Sequence, residues 1–276
     1  DISRDPTLPT LPDLEMVINA DDYGRVSVRD DPPLPLLSIT KKKGKGLDIL
    51  YPAGHYALAG KSVTAIGTDS HAYRVPWRRK NASVLFWRGR PNSHTLSRWA
   101  LPRLALEGTP EQRAKFDIGL LWYHHPHDPF VKANGSVGPL PLLNELDMFR
   151  HSQYKYVVHL DGHSYSHRLI KLLSTNSLIL KETTPDLEFY YHLLKPFVHY
   201  WPFTIKVPTP QYHHPQPQLR QPRLDGVTTD LLDVMRAAEL DDERARRIGE
   251  QAHRLAHTHL CDAARRCYLI ELLRRY

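Results

Sequence analysis

The chain has 276 residues, of which 41% are hydrophobic and 24% are charged, and this composition excludes an intrinsically disordered protein. No stretch approaches the roughly 20 consecutive apolar residues that cross a bilayer, and two cysteines cannot build a disulfide framework. The formal net charge of +7 favours anionic partners, such as nucleotides, sugar phosphates, nucleic acid or acidic membranes.

The stretch VINADDYG at residues 17–24 ends an apolar run, residues 14–20, in two adjacent carboxylates. The run predicts a strand whose end places Asp21 and Asp22 at a functional site. Because neighbouring residues of a strand point to opposite faces, only one of them is expected to face that site. The octapeptide is also similar to the opening of the chitooligosaccharide-type carbohydrate deacetylases, where an Asn-Ala-Asp-Asp-Phe-Gly segment supplies a metal ligand. This stretch alone does not decide whether the aspartate that faces the site is an acid–base group or a metal ligand.

Apolar runs of strand length alternate along the chain with segments of helical spacing. The strand-length runs are residues 14–20, 83–87, 118–122, 156–160, 177–180 and 197–200. Helical spacing occurs at residues 96–106, 142–149, 166–173 and 187–194, and it continues as a C-terminal helical region from residue 228. This alternation is typical of parallel α/β sheets that helices cover on both faces.

A first glycine-containing turn follows the predicted strand at residues 83–87. Arg88 and Gly89 end that strand, a polar loop follows, and the next predicted helix carries Arg98. The ends of parallel strands are where α/β folds bind ligands, so Arg98 is a candidate for contacting an anion there.

A second turn of the same kind follows the predicted strand at residues 156–160. Gly162 allows close approach of the backbone, Ser164 and Ser166 supply small polar groups, and Arg168 begins the next helix. A tight strand–helix turn with Ser164 as a cap and a solvated Arg168 explains the stretch equally well. Two such turns together are suited to contacting a diphosphate from two sides.

The glycine-rich dinucleotide fingerprint and the P-loop are both absent from the sequence, which disfavours a dehydrogenase or a P-loop ATPase.

The cluster most like a metal site is YHHPHDP, residues 123–129. Its prolines preclude a helix that would present two ligands on one face, and no metal site is predicted there. A deacetylase would need a histidine pair after Asp21 and Asp22, whereas only His55 and His71 lie within the following 50 residues, at no helical ligand spacing. The deacetylase therefore becomes a distant alternative.

Six blocks of the chain, in order, strongly resemble glycosyltransferase family 90, the family of the protein O-glucosyltransferases and the fungal capsule xylosyltransferases. The blocks are LPDLEMVINADDYG, DILYP, VPWRRKNASVLFWRG, YKYVVHLDGHSYSHRLIKLLSTNSLILK, EFYYHLLKPFVHYWPF and the helical segment from TDLLDVMRAAEL to CYLIELLRRY. The resemblance runs, with gaps, from Leu11 to Tyr276.

The resemblance implies an α/β protein of the GT-B type, with two Rossmann-like domains facing a cleft and C-terminal helices. We expect an N-terminal acceptor-side domain at residues 1–135 and a C-terminal domain that binds the nucleotide sugar at residues 136–276. The start of the first domain is expected to be missing, as in a fragment or processed form.

The resemblance also implies an inverting, metal-independent transfer of glucose or xylose from a UDP-sugar, without a further cofactor, to a hydroxyl of a protein or glycan. It implies that Asp22, not Asp21, is the catalytic base. The residues implied to bind the donor are Arg88, Gly89, Arg98, Gly162, Ser164, Ser166 and Arg168.

The partners implied are therefore a UDP-sugar and a protein or glycan acceptor, with no nucleic acid. The compartment implied is the secretory pathway, in the lumen of the endoplasmic reticulum or Golgi, with a membrane anchor allowed outside this chain. A degenerate family member that binds a sugar nucleotide without catalysis is the second alternative.

Overall fold

The computed structural model describes residues 13–30, 32, 34–52, 74–90, 96–121, 142–207 and 226–276. In chain order, the strands are β1 (Val17–Ile18), β2 (Leu36–Ser38), β3 (Thr40–Lys42), β4 (Ile49–Leu50), β5 (Asn81–Gly89), β6 (Phe116–Leu121), β7 (Leu142–Leu143), β8 (Tyr154–His159), β9 (Leu178–Glu182), β10 (Asp186–Glu188), β11 (Trp201–Phe203), β12 (Ile205–Lys206) and β13 (Thr228–Thr229). The helices are α1 (Ser97–Glu107), α2 (Pro110–Arg113), α3 (Met148–Ser152), α4 (Arg168–Leu173), α5 (Leu231–Leu240), α6 (Asp242–His259) and α7 (Asp262–Arg275), with 3-10 turns at Trp77–Arg79 and Tyr191–Leu193.

Six parallel strands form the main sheet, in the spatial order β7-β6-β5-β8-β9-β11. From β5 the chain moves outward through β6 to β7, and then it returns to β8 and moves outward the other way. The strand order therefore reverses between β5 and β8. In open parallel sheets, ligands bind outside the carboxyl ends of the strands at such a reversal.

Apolar residues on both faces of β5 explain why it lies at the centre of this sheet. Leu85 and Trp87 are buried in one hydrophobic core together with Trp99 of α1. Phe86, which lies between them in sequence, is buried in a second core together with Leu169 of α4. Since successive side chains of a strand point to opposite faces, a strand covered on both sides needs an uninterrupted apolar run.

A smaller parallel sheet, β1-β2-β4, is formed by the N-terminal residues. Strand β3 pairs antiparallel with β10, which ties this N-terminal unit to the main sheet unit. The last helix, α7, also reaches it: the Tyr268 hydroxyl donates to the Leu50 carbonyl at 2.9 Å, and the Tyr276 hydroxyl donates to the Pro35 carbonyl at 2.5 Å. The segment that carries Asp22 is therefore held against the main sheet unit from two sides.

The predicted α/β class with C-terminal helices is confirmed, and three local predictions are wrong. Residues 197–200 are not a strand, because the backbone at Phe197 has a φ of 61° and β11 begins only at Trp201. The helix predicted at residues 142–149 is replaced by β7 and α3, since Asp147 caps α3 by accepting from the Arg150 N–H at 2.9 Å. The helix predicted at residues 187–194 is replaced by part of β10 and a 3-10 turn.

One hydrogen-bonded sheet spans the domain boundary predicted at residues 135 and 136. Strands β5 and β6 lie on the N-terminal side of that boundary, whereas β7, β8, β9 and β11 lie on its C-terminal side. Parallel strands that are adjacent in one sheet share one hydrophobic core, and Leu85 of β5 and Tyr156 of β8 are buried in the same cluster.

Candidate functional site

A cavity of about 700 Å³ lies at the carboxyl ends of β5 and β8, where the strand order reverses. This volume is within the range of about 300 to 1,000 Å³ that small-molecule sites occupy. Its lining residues are Asp22, Arg88, Arg90, Arg98, Leu121, Glu145, Leu146, Asp147, Met148, His151, Gly162, His163, Tyr165, Ser166, His167, Arg168 and Lys171. Cationic side chains outnumber carboxylates in this lining, so the cavity is suited to an anionic ligand.

Arg98, on the first turn of α1, is a buried guanidinium, with 8% of its surface exposed. Its N–H groups donate to the backbone carbonyls of Asp161 at 2.6 Å, Leu160 at 3.2 Å and Arg90 at 3.0 Å. Among the described residues, no carboxylate forms an ion pair with it. Burial lowers the pKa of Arg98 to about 9, and repulsion by the nearby Arg168 guanidinium acts in the same direction as the second-largest cause. A bound anion would stabilise this charge.

Arg168, at the first position of α4, is a second cation of the cavity and is half-buried. Its Nη1 donates to the backbone carbonyl of Arg88. Burial lowers the pKa of Arg168 to about 10, and no ion pair to it occurs in the part of the chain that the structure describes. A buried and a half-buried guanidinium group that repel each other are costly unless an anion lies between them. The pair therefore suits a ligand with more than one negative charge, such as a diphosphate.

Gly162 and Ser166 shape the loop between β8 and α4 that lines the same cavity. The Gly162 N–H donates to the Tyr165 carbonyl at 2.8 Å, and a Cβ atom at Gly162 would lie only 2.3 Å from that oxygen. The tight turn therefore requires glycine. The Ser166 hydroxyl lies 3.5 Å from the Arg98 Nη2.

Of the eight residues that the sequence analysis singled out, six line the cavity: Asp22, Arg88, Arg98, Gly162, Ser166 and Arg168. Gly89 and Ser164 are not among the lining residues. A Cβ atom at Gly89 would lie 2.3 Å from the Trp87 ring, so this glycine makes room for the tryptophan. Ser164 is buried and its hydroxyl donates to the Asp22 backbone carbonyl.

Arg88 lines the cavity, but its guanidinium already has a partner. It forms an ion pair with the Asp117 carboxylate, and its Nη1 donates to the Asp117 carbonyl at 2.7 Å. This pairing distinguishes Arg88 from Arg98 and Arg168, which have only carbonyl and hydroxyl partners among the described residues.

The two neighbouring carboxylates, Asp21 and Asp22, have different surroundings. Asp21 forms an exposed ion pair with Arg25. Asp22 lines the cavity, and its Oδ2 lies 3.1 Å from Nδ1 of His163, in the loop after β8. The strand predicted before them is shorter than expected, since β1 ends at Ile18. The chain has therefore turned before both acids.

Asp48 fixes the turn that presents Asp22, and the sequence analysis did not single it out. This fully buried carboxylate accepts hydrogen bonds from the Arg25 N–H at 2.7 Å, the Val26 N–H at 3.1 Å and the Ser38 hydroxyl at 2.6 Å. Asn19 adds a hydrogen bond to the Ser38 hydroxyl at 3.1 Å. The DILYP block contained Asp48, but its partners lie 10 to 23 residues away in the sequence and could not be inferred from spacing.

A buried polar cluster lies beside Arg98, at the carboxyl ends of β8 and β9. The His159 Nε2–H donates to the Asp161 carboxylate at 3.1 Å, and the Ser97 hydroxyl donates to the Glu182 carboxylate at 3.0 Å. Burial lowers the pKa of His159 to about 4. Burial also raises the pKa of Glu182 to about 7, although the Ser97 hydrogen bond acts in the opposite direction.

Glu182→Gln is expected to make the protein more stable at alkaline pH. The folded-state pKa of Glu182 lies above its unfolded value, so its contribution to stability is complete below pH 4.5 and is lost as pH rises toward 7. The glutamine amide carries no charge, and the difference in unfolding free energy between variant and parent should grow by up to about 3 kcal/mol across this window. Urea titrations at pH 4.5, 6 and 8 measure the difference. A difference that does not change with pH would contradict the expectation.

The described residues contain no group of three or more His, Cys, Asp or Glu side chains placed to hold a metal ion. The YHHPHDP cluster at residues 123–129 lies outside the described residues. No helix in the described ranges is long and apolar enough to cross a membrane.

The chain is similar in sequence to one protein family and to several glucosyltransferases. The model of the family described as glycosyl transferase family 90 matches residues 6–211. Protein O-glucosyltransferase 1 of Homo sapiens is 27% identical over 282 residues, which cover 96% of this chain and 62% of that protein. The O-glucosyltransferase rumi of Drosophila melanogaster is 26% identical and is covered to 62%, and Protein O-glucosyltransferase 2 of Danio rerio is 27% identical and is covered to 47%. The chain thus spans less than two thirds of these relatives.

Similar solved structures are more remote. Anabaena Alr3699/HepE in complex with UDP-glucose has a TM-score of 0.42 and 9% identity, over 74% of this chain and 56% of that one. WaaG, a glycosyltransferase involved in lipopolysaccharide biosynthesis, has a TM-score of 0.40 and 11% identity, over 86% of this chain and 56% of that one.

Proposed function

Because the chain belongs to glycosyl transferase family 90, we propose that it transfers glucose or xylose from a UDP-sugar to a hydroxyl of a protein or glycan. The observation that carries this proposal is the buried Arg98 guanidinium and the half-buried Arg168 guanidinium, which face one cavity without an ion pair to a carboxylate among the described residues. The relatives are named protein O-glucosyltransferases, and this supports the protein acceptor.

The proposed reaction is a single displacement at the anomeric carbon. The acceptor oxygen forms a bond to that carbon while the bond to the UDP oxygen breaks, and this inverts the configuration. Asp22 takes the acceptor proton as general base. The negative charge that grows on UDP is stabilised by Arg98 and Arg168, so the reaction needs no metal ion. With water in place of the acceptor, the same steps hydrolyse the UDP-sugar.

The proposal includes a cleft of the GT-B type between two units. We place the division between residues 52 and 74, after the small sheet β1-β2-β4 and before the strands of the main sheet. The N-terminal unit contributes Asp22, the main sheet unit contributes Arg98 and Arg168, and α7 returns to the N-terminal unit. We further propose that the protein acts in the lumen of the secretory pathway.

UDP is expected to raise the melting temperature of the chain in buffer that contains a metal chelator. At a UDP concentration 100 times the Kd, binding to the folded state alone adds about 2.7 kcal/mol to its stability. Uridine, which lacks the phosphates, should give little or no increase at the same concentration. The proposal is wrong if UDP gives no increase, or if the increase depends on added metal.

A further inference from the structure

The loop after β8 holds Asp22 by both its backbone and its side chain. The hydroxyls of Ser164 and Thr40 donate to the Asp22 carbonyl, the latter at 2.7 Å, and the two hydroxyl oxygens lie 3.0 Å apart. Next to Ser164, the His163 Nδ1 lies 3.1 Å from the Asp22 Oδ2. Because an ionised carboxylate only accepts hydrogen bonds, the proton of this contact lies on Nδ1.

The two kinds of contact have different effects on Asp22. Thr40 and Ser164 are buried and fix the backbone of Asp22, but they leave its side-chain torsions free. The Asp22 side chain is 43% exposed, so its packing alone does not select one orientation. The Nδ1–H of His163 aims at one carboxylate oxygen, and this contact can select the orientation.

The same loop also forms part of the proposed donor site. Gly162 and Ser166 line the cavity on either side of His163 and Ser164, and Arg168 follows two residues later. The hydrogen bond from the Gly162 N–H to the Tyr165 carbonyl, 2.8 Å long, closes this loop into a tight turn and restricts the relative movement of its groups. The loop can therefore align the Asp22 carboxylate with the donor phosphates.

We propose that His163 is a positioning residue, which holds the Asp22 carboxylate in the orientation that accepts the proton of the attacking hydroxyl. This inference rests on the proposed function and adds to it a residue that acts through Asp22. An exposed pair of this kind contributes little to the stability of the fold. Loss of the His163 side chain should accordingly leave the fold intact. His163 also lines the cavity, but the proposed function assigns the binding of UDP to Arg98 and Arg168, so the affinity for UDP should change little.

The test compares His163→Leu with His163→Asn, since the asparagine amide can place an N–H close to where Nδ1–H lies. Hydrolysis of UDP-glucose by the full chain gives kcat and KM, and calorimetry gives the Kd of UDP. We expect His163→Leu to lower kcat by about tenfold, with KM and Kd within about twofold of the parent values. His163→Asn should restore most of kcat. His259→Leu, at the exposed end of α6, is the matched control and should change none of these values.

The outcomes separate the positioning role of His163 from the proposed function. An unchanged kcat in His163→Leu would overturn the positioning role. So would a His163→Asn variant as slow as His163→Leu, because the N–H would then not matter. A parent chain that binds no UDP would overturn the proposed function itself. If the parent binds UDP and His163→Leu hydrolyses UDP-glucose at the same rate as the parent, only this inference is overturned.

Discussion

Arg168→Ala is expected to weaken UDP binding by about 10- to 100-fold, because a hydrogen bond to a charged group contributes roughly 1.5 to 3 kcal/mol. The half-buried Arg168 guanidinium has no ion pair among the described residues, and a phosphate would stabilise its charge. Calorimetric titration of parent and variant with UDP measures the change. Arg168→Lys should keep part of the affinity, since it keeps the charge but loses the paired N–H geometry.

The matched control for the arginine variants is Arg103→Ala. Arg103 lies further along α1 than Arg98 and pairs with Glu107 away from the cavity. Its removal should leave the Kd of UDP unchanged. An equal loss in Arg103→Ala and Arg168→Ala would mean that UDP responds to overall charge, and it would contradict a specific phosphate site.

Asp22→Asn is expected to reduce the hydrolysis of UDP-glucose by a factor on the order of 10² or more, while UDP binds within about twofold of the parent affinity. Asparagine keeps the size of the side chain but cannot take a proton from the attacking oxygen. The backbone contacts of Asp22 to Thr40 and Ser164 remain, so the loop should keep its position. Initial rates of UDP release measure the loss of turnover, and calorimetric titration measures the affinity for UDP separately.

Asp21→Asn provides the control next to this position. Asp21 pairs with Arg25 in solvent and does not line the cavity. The turnover of this variant should equal that of the parent. If the two aspartates had equal effects, or if Asp22→Asn kept full turnover, Asp22 would not be the base.

The sequence predicted the four central strands of the main sheet, β6, β5, β8 and β9, because their signals are local, and it missed the two edge strands, β7 and β11. The uninterrupted apolar run of β5 and the Gly-containing turn after β8 each depend on neighbouring residues, and they placed Arg98, Gly162 and Arg168 at one edge of the sheet. Phe197, by contrast, lies in an apolar run of strand length but adopts a positive φ that no periodicity reveals. Its N–H donates to the Tyr200 carbonyl at 2.7 Å, so Phe197 lies in a tight turn rather than in a strand.

The remaining differences depend on contacts between distant segments. The position of Ser164 follows from its hydrogen bond to Asp22, 142 residues away in the sequence. The partnership of Arg88 with Asp117 depends on the pairing of β5 with β6. These are properties of the sheet rather than of any single motif.

A crystal structure of the chain with UDP would show directly which side chains bind the diphosphate. We predict that the diphosphate lies in the cavity between β5 and β8, with its oxygens within hydrogen-bonding distance of the guanidinium groups of both Arg98 and Arg168. A diphosphate bound elsewhere, or one held in this cavity through a metal ion without contact to either arginine, would contradict the account.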